Sequence, residues 1–73
     1  MTLTAIRIPE RVRQQALQVL LRYQRRRIFP HRIHSTGYLS LKVNRSWRLL
    51  SKDDGRNWEG MSHERYSKVK DRK

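Results

Sequence analysis

The chain contains no cysteine, only three glycines, two prolines and one phenylalanine, and just six acidic residues among its 73. Without cysteine there is no disulfide and no thiolate zinc site, so a reducing cytoplasm suits the chain. Its three histidines have few carboxylates near them. That is a poor set for a metal, and neither a metal nor another cofactor is expected. Long apolar runs are missing too, Val19-Leu20-Leu21 being typical of the longest. This excludes a transmembrane helix, and Met1-Thr2-Leu3-Thr4 does not read as a secretory signal. A single domain over residues 1–73 is expected, with a modest core that gains from a protein partner.

What the chain has in excess is positive charge. Eighteen Lys and Arg against six Asp and Glu give a net +12 and a pI of about 11.5. Solubility needs a large charge but not one of a single sign. A surface this basic points to nucleic acid, an anionic membrane or an acidic protein.

Thr2 to Ile8 is β-branched and roughly alternating, a short edge strand or an arm. Pro9-Glu10 then opens a helix, since proline suits its first position and glutamate its positive dipole end. Val12, Ala16, Val19, Leu20 and Tyr23 fall on one stripe at helical spacing, widened by Leu17 and Leu21. Arg11, Arg13, Gln14, Gln18 and Arg22 take the polar side. The helix frays through Arg25-Arg26-Arg27 and ends before Pro30. Ile28 to Gly37 reads as a loop or short helix, with His31 and His34 on its surface.

From Tyr38 to Ser62 the pattern is that of a three-stranded meander. Leu39, Leu41 and Val43 alternate with Tyr38, Ser40 and Lys42. With Asn44-Arg45-Ser46 as the loop, Val43 faces Trp47 and Leu41 faces Leu49, which gathers the apolar residues on one face. Asp54-Gly55 signals the second hairpin. That register sets Leu49 against Gly60 and Arg48 against Met61, and brings Trp58 onto the Trp47 face. The expected fold is α+β: one main N-terminal helix packed on a three- to four-stranded antiparallel β-meander.

The same register places Lys42 opposite Arg48, with His63 on their face if the third strand persists. Like charges directly opposite destabilise a sheet. The pair makes sense with an anion between, either a phosphate or the carboxylate of Glu59 or Glu64, or with water on an open face. RNA cleavage needs a base for the 2′-hydroxyl, cations for the charge developing on phosphorus, and an acid for the leaving oxygen. His63, Tyr66, Arg48, Arg65 and Lys42 supply these types without a metal. Arg45, Lys68 and Lys70 are further candidates for holding a nucleic-acid backbone. Read structurally, His63 is an ordinary strand-end histidine and Tyr66 a core or rim aromatic.

The order of elements from Gly37 to Lys68 resembles the RelE/ParE superfamily of bacterial toxin–antitoxin toxins. The likeness rests on a strand ending in a polar turn, then Trp47-Arg48-Leu49-Leu50, then Ser62-His63-Glu64-Arg65-Tyr66. It is strongest to ParE-like sequences with a Ser-His-x-x-Tyr ending. The resemblance implies a metal-independent endoribonuclease that represses translation, acting on RNA, on the ribosome in some members. Arg48 would hold the scissile phosphate, and His63, Arg65 and Tyr66 would be catalytic. Leu39 and Leu41 stand where the messenger-cleaving branch often carries two lysines, with Lys42 close by. The gyrase-inhibiting branch lacks the catalytic set, so DNA gyrase is the alternative target. A small basic nucleic-acid-binding protein without toxicity is a third reading. The implied partner is a cognate acidic antitoxin covering the Lys42/Arg48 face.

Overall fold

A computed structural model describes residues 2–4 and 8–69. In chain order the elements are β1 (Thr2–Thr4), α1 (Glu10–Gln24), β2 (His31–Arg32), β3 (Leu39–Lys42), β4 (Trp47–Ser51), β5 (Asn57–Ser62) and α2 (His63–Val69). The strands form one sheet in the order β1-β5-β4-β3-β2. The fold is α+β, with α1 as the main helix against the β3–β5 meander. Two short strands extend that meander: β2 antiparallel to β3, and β1 parallel to β5.

Helix α1 begins where proline allows. Pro9 takes the cap position with φ −55° and ψ 144°, and its carbonyl accepts the N–H of Arg13 at 3.0 Å. Val12, Ala16, Val19 and Leu20 are its buried stripe. Ala16, Val19 and Leu20 pack on Leu39, Leu41, Leu49 and Trp58, while Leu17 and Leu21 stay exposed at the flank. Trp58 is fully buried, donates its indole N–H to the Gly55 carbonyl at 3.1 Å, and meets Tyr23 edge to face at 5.4 Å. The other indole, Trp47, is only half-buried. By register it shares the face of Leu49 and Trp58 as expected, but it lies outside their packed core.

The register follows the alternation: Leu41 pairs with Leu49, Lys42 with Arg48, Arg48 with Met61 and Leu49 with Gly60. Gly60 matters for close approach. A Cβ there would lie 2.6 Å from Cδ1 of Ile8, which crosses the strand at that point. The β4–β5 turn takes positive φ at both Asp54 (63°) and Gly55 (95°), the twist that matches a tight hairpin. Asp53 fastens the turn by accepting the Asn57 N–H and the Ser51 hydroxyl, each at 2.9 Å.

Leu49 and Leu50 are neighbours in one strand, so they point to opposite faces, and both are fully buried. The sheet is therefore covered twice. On the face away from α1, Ile33, Leu50 and Met61 form a second cluster, packed by Tyr38, Tyr66 and Val69. Helix α2 supplies the last two. The strand does not persist through His63, as the alternation requires for that residue to join the Lys42/Arg48 face. The chain turns into a helix there, with the Ser62 hydroxyl accepting the N–H of Arg65 at 3.3 Å as its cap.

Candidate functional site

The site is built around the β3–β4 loop. Asn44 organises that loop: its Oδ1 accepts the N–H groups of Ser46 (2.9 Å) and Trp47 (3.1 Å), and its Nδ2 donates to Gln15 Oε1 on α1 at 2.9 Å. The turn leaves the Asn44 carbonyl aimed back along the strand. Nη1 of Arg48 donates to it and, at 3.0 Å, to the carbonyl of Trp47. The guanidinium is thus half-buried and engaged by its own loop. Lys42, its cross-strand partner, is exposed. Among the described residues the ion pairs are Arg13–Glu10 and Arg32–Asp54, so neither Glu59 nor Glu64 lies between Lys42 and Arg48. Main-chain carbonyls take the arginine, and the lysine stays exposed.

Helix α2 carries the other candidates. His63 is exposed, and its N–H donates to the Ser46 carbonyl at 2.7 Å, which ties the helix start to the same loop. Its ring centroid lies 6.3 Å from that of Tyr66. Tyr66 is half-buried and donates its hydroxyl to Oγ of Ser40 at 3.0 Å, so it reaches β3 two residues from Lys42. Arg65 is exposed and points into an open groove of about 600 Å³ between β1 and α2, where Thr4, Trp47, Glu59 and Ser62 also line the wall. Arg45 is exposed on the loop and Lys68 on the helix, while Lys70 lies outside the described residues.

Lys42, Arg48, His63 and Tyr66 therefore come together at one corner of the sheet, with Arg65 on the neighbouring rim. Leu39 and Leu41 are buried under α1, so the two-lysine arrangement of the messenger-cleaving branch has no counterpart on that strand. Asn44, Ser40 and Ser62 hold the corner together; the sequence marks Asn44 only as a loop residue, Ser40 only by alternation and Ser62 only as part of the Ser-His-x-x-Tyr ending. For Ser62 a signal was present, a hydroxyl residue directly before a short charged helix. Among the described residues no three His, Asp or Glu side chains gather as a metal set.

A family model described as a ParE-like toxin domain matches residues 10–68. The chain belongs to the ParE-like toxin family. No curated protein and no solved structure matches it. This is a toxin of the RelE/ParE type, the toxin half of a toxin–antitoxin pair, and an antitoxin is its partner. Among the described residues no helix is long and apolar enough to cross a membrane.

Proposed function

We propose that this ParE-like toxin is a metal-independent endoribonuclease that represses translation. The observation that carries this reading is the corner itself: Lys42 and Arg48 paired across two strands, with His63 and Tyr66 brought to them by α2. His63 takes the proton of a ribose 2′-hydroxyl, and the 2′-oxygen attacks the adjacent phosphorus. Lys42, joined by Arg48 turning from its loop carbonyls, stabilises the negative charge that builds on the phosphoryl oxygens, and Arg65 adds positive charge from the neighbouring rim. The P–O5′ bond breaks to leave a 2′,3′-cyclic phosphate. Tyr66 protonates the departing oxygen, which competes with Ser40 as acceptor of the phenol proton. Arg45, Lys68 and Lys70 hold the flanking backbone. The toxin acts in the cytoplasm as one domain over residues 1–73, and an acidic antitoxin neutralises it.

A second reading is favoured by a specific observation. Arg48 is held by two loop carbonyls and Tyr66 by Ser40, so both work for the fold. A toxin whose corner is structural is a non-enzymatic binder, with DNA gyrase the target the family suggests. Induced expression separates the two. Rapid translation arrest with cut messages supports the nuclease, and DNA damage with filamentation supports gyrase inhibition. Purified toxin should cut labelled RNA in EDTA, and His63→Ala should abolish the cut. RNA left intact by folded parent protein, both free and on translating ribosomes, ends the nuclease reading.

A further inference from the structure

The C-terminal end of α1 is built in an unusual way. The helix closes with a Schellman motif: Arg27 donates its N–H to the Arg22 carbonyl at 2.9 Å and Arg26 donates to the Tyr23 carbonyl at 3.0 Å. The left-handed position of that motif normally belongs to glycine. Here it is Arg26, at φ 58°. The two residues that the motif brings side by side are normally an apolar pair, and here they are Arg22 and Arg27. With Arg25, four arginines crowd one helix end. The helix dipole rewards cations there, which accounts for Arg22 or Arg25. It does not account for an arginine in a strained backbone position, nor for two cations replacing an apolar contact.

Among the described residues, none of these four arginines is paired with a carboxylate. The two ion pairs among the described residues involve Arg13 and Arg32. The helix-end carbonyls of Leu21, Arg22 and Tyr23 are already taken by main-chain N–H groups, so the guanidiniums are not needed as caps. Beside them stands Phe29, the only phenylalanine in the chain, with 80% of its surface exposed. It forms one wall of an open hollow of about 400 Å³, with Tyr23, Ile28 and Arg26 around it. Tyr23 also approaches the Gly55 turn. This hollow therefore lies toward the β4–β5 turn, at the end of the sheet opposite the Asn44 loop.

We infer that Phe29 and the α1 C-terminal arginines form a second nucleic-acid site, which stacks an unpaired base of a single-stranded RNA on the Phe29 ring and holds its phosphates on Arg22, Arg25, Arg26 and Arg27. An exposed ring beside a basic strip is the arrangement single-strand binders use, since every base has a face to stack and every nucleotide a charge to neutralise. An acidic protein segment would satisfy the charge alone, and the antitoxin affinity of the Phe29 and Arg26 variants separates it from RNA. This site deepens the nuclease reading by adding a grip on substrate remote from the cut. It rests on nucleic acid being the toxin's target and does not depend on His63 or Arg48.

The test is affinity for a fluorescent 12-nucleotide RNA, fully 2′-O-methylated so that it cannot be cut, measured with the full chain across a salt series. Phe29→Ala should weaken binding roughly ten-fold, the scale of one lost base stack, while Phe29→Tyr keeps parent affinity. Arg26→Gly removes one cation and suits the left-handed backbone. It should raise the melting temperature, weaken binding, and flatten the slope of log affinity against log salt by about 0.7. No binding by the parent, or Phe29→Ala and Arg26→Gly binding as the parent does, overturns the site. Loss of affinity for the antitoxin alone also overturns it, since the surface would then be a protein dock. A parent that binds this oligonucleotide through Phe29 yet leaves ordinary RNA uncut, both free and on translating ribosomes, keeps the site and ends the nuclease reading, so the two failures are distinct.

Discussion

Arg48 has two roles that a single substitution can separate. Its structural role is to donate from Nη1 to the carbonyls of Asn44 and Trp47. A hydrogen bond from a charged donor contributes roughly 1.5–3 kcal/mol. Both bonds come from one nitrogen of a half-buried group. Water replaces part of them in Arg48→Ala, so the expected destabilisation is about 1–2 kcal/mol. In a domain of this size that lowers the melting temperature by roughly 4–8 °C per kcal/mol. Its proposed catalytic role is to turn toward the phosphate as charge develops, which costs roughly 100- to 1,000-fold in rate when lost. The magnitudes keep the roles apart. Even a domain at the low end of stability, roughly 5 kcal/mol, retains about 3 after the substitution and stays about 99% folded. Unfolding therefore cannot produce a hundred-fold loss. The assay is single-turnover cleavage of a labelled RNA in EDTA, corrected for the folded fraction from circular dichroism, beside a thermal melt. Arg48→Lys keeps the charge but not the planar fork, so it should restore part of each. Lys42→Ala is the control: loss of this exposed cation should lower cleavage without lowering the melt, since it removes a like charge opposite Arg48. An Arg48→Ala protein that melts early yet cuts at the parent rate would show a loop clamp and nothing more.

Three further outcomes follow from the fold. Trp58→Ala should cost roughly 3–5 kcal/mol, because it empties the fully buried centre under α1 and breaks the Gly55 bond; denaturation of the variant in urea measures it, and a loss under 1 kcal/mol would contradict the core assigned above. Gly55→Ala should cost about 1–3 kcal/mol, from positive φ and from a Cβ only 2.5 Å from the Tyr23 hydroxyl oxygen. Adding Tyr23→Phe should return only the contact part, and a melt unchanged by Gly55→Ala would refute the strain. The Asp53 carboxyl is held below the ordinary carboxylate range, chiefly by the Asn57 N–H, then by the Asn57 side chain and the Ser51 hydroxyl. A carboxyl depressed in the folded state stabilises above its unfolded value, about 3.9, and that contribution fades as pH falls further. Melting temperature should drop on acidification below about pH 4, and less steeply in Asp53→Asn; parallel curves would refute the assignment.

The sequence disclosed the meander because two independent signals agreed on it: the period-two alternation through Leu39, Leu41, Trp47 and Leu49, and the Asp54-Gly55 turn, whose positive φ values the hairpin requires. Register then followed, and with it the Lys42–Arg48 pair. The parallel pairing of β1 with β5 was not legible, because three residues carry too little pattern to choose a neighbour. The second layer was hidden for a different reason. Helix α2 has seven residues and meets the sheet mainly through Tyr66 and Val69, too few to mark a stripe. A signal for it did exist on the other partner: Leu49-Leu50 puts bulky aliphatic groups on both faces of one strand, and Met61 joins Leu50. An open basic face cannot hold two such residues in water, so something had to cover it. That cover changes the meaning of the charges. With Tyr66 and Val69 over the middle of the face, Lys42 and Arg48 become the rim of a packed layer. They lie beside the Asn44 loop, whose Ser46 carbonyl takes the N–H of His63 where the covering helix begins. In the nuclease reading proposed above, the helix that closes the sheet face also carries His63 and Tyr66 to its edge. Tyr66→Phe removes the hydroxyl that ties α2 to Ser40, so in the nuclease reading it should lower the melting temperature and the cleavage rate together, and a loss of either alone would separate fold from site.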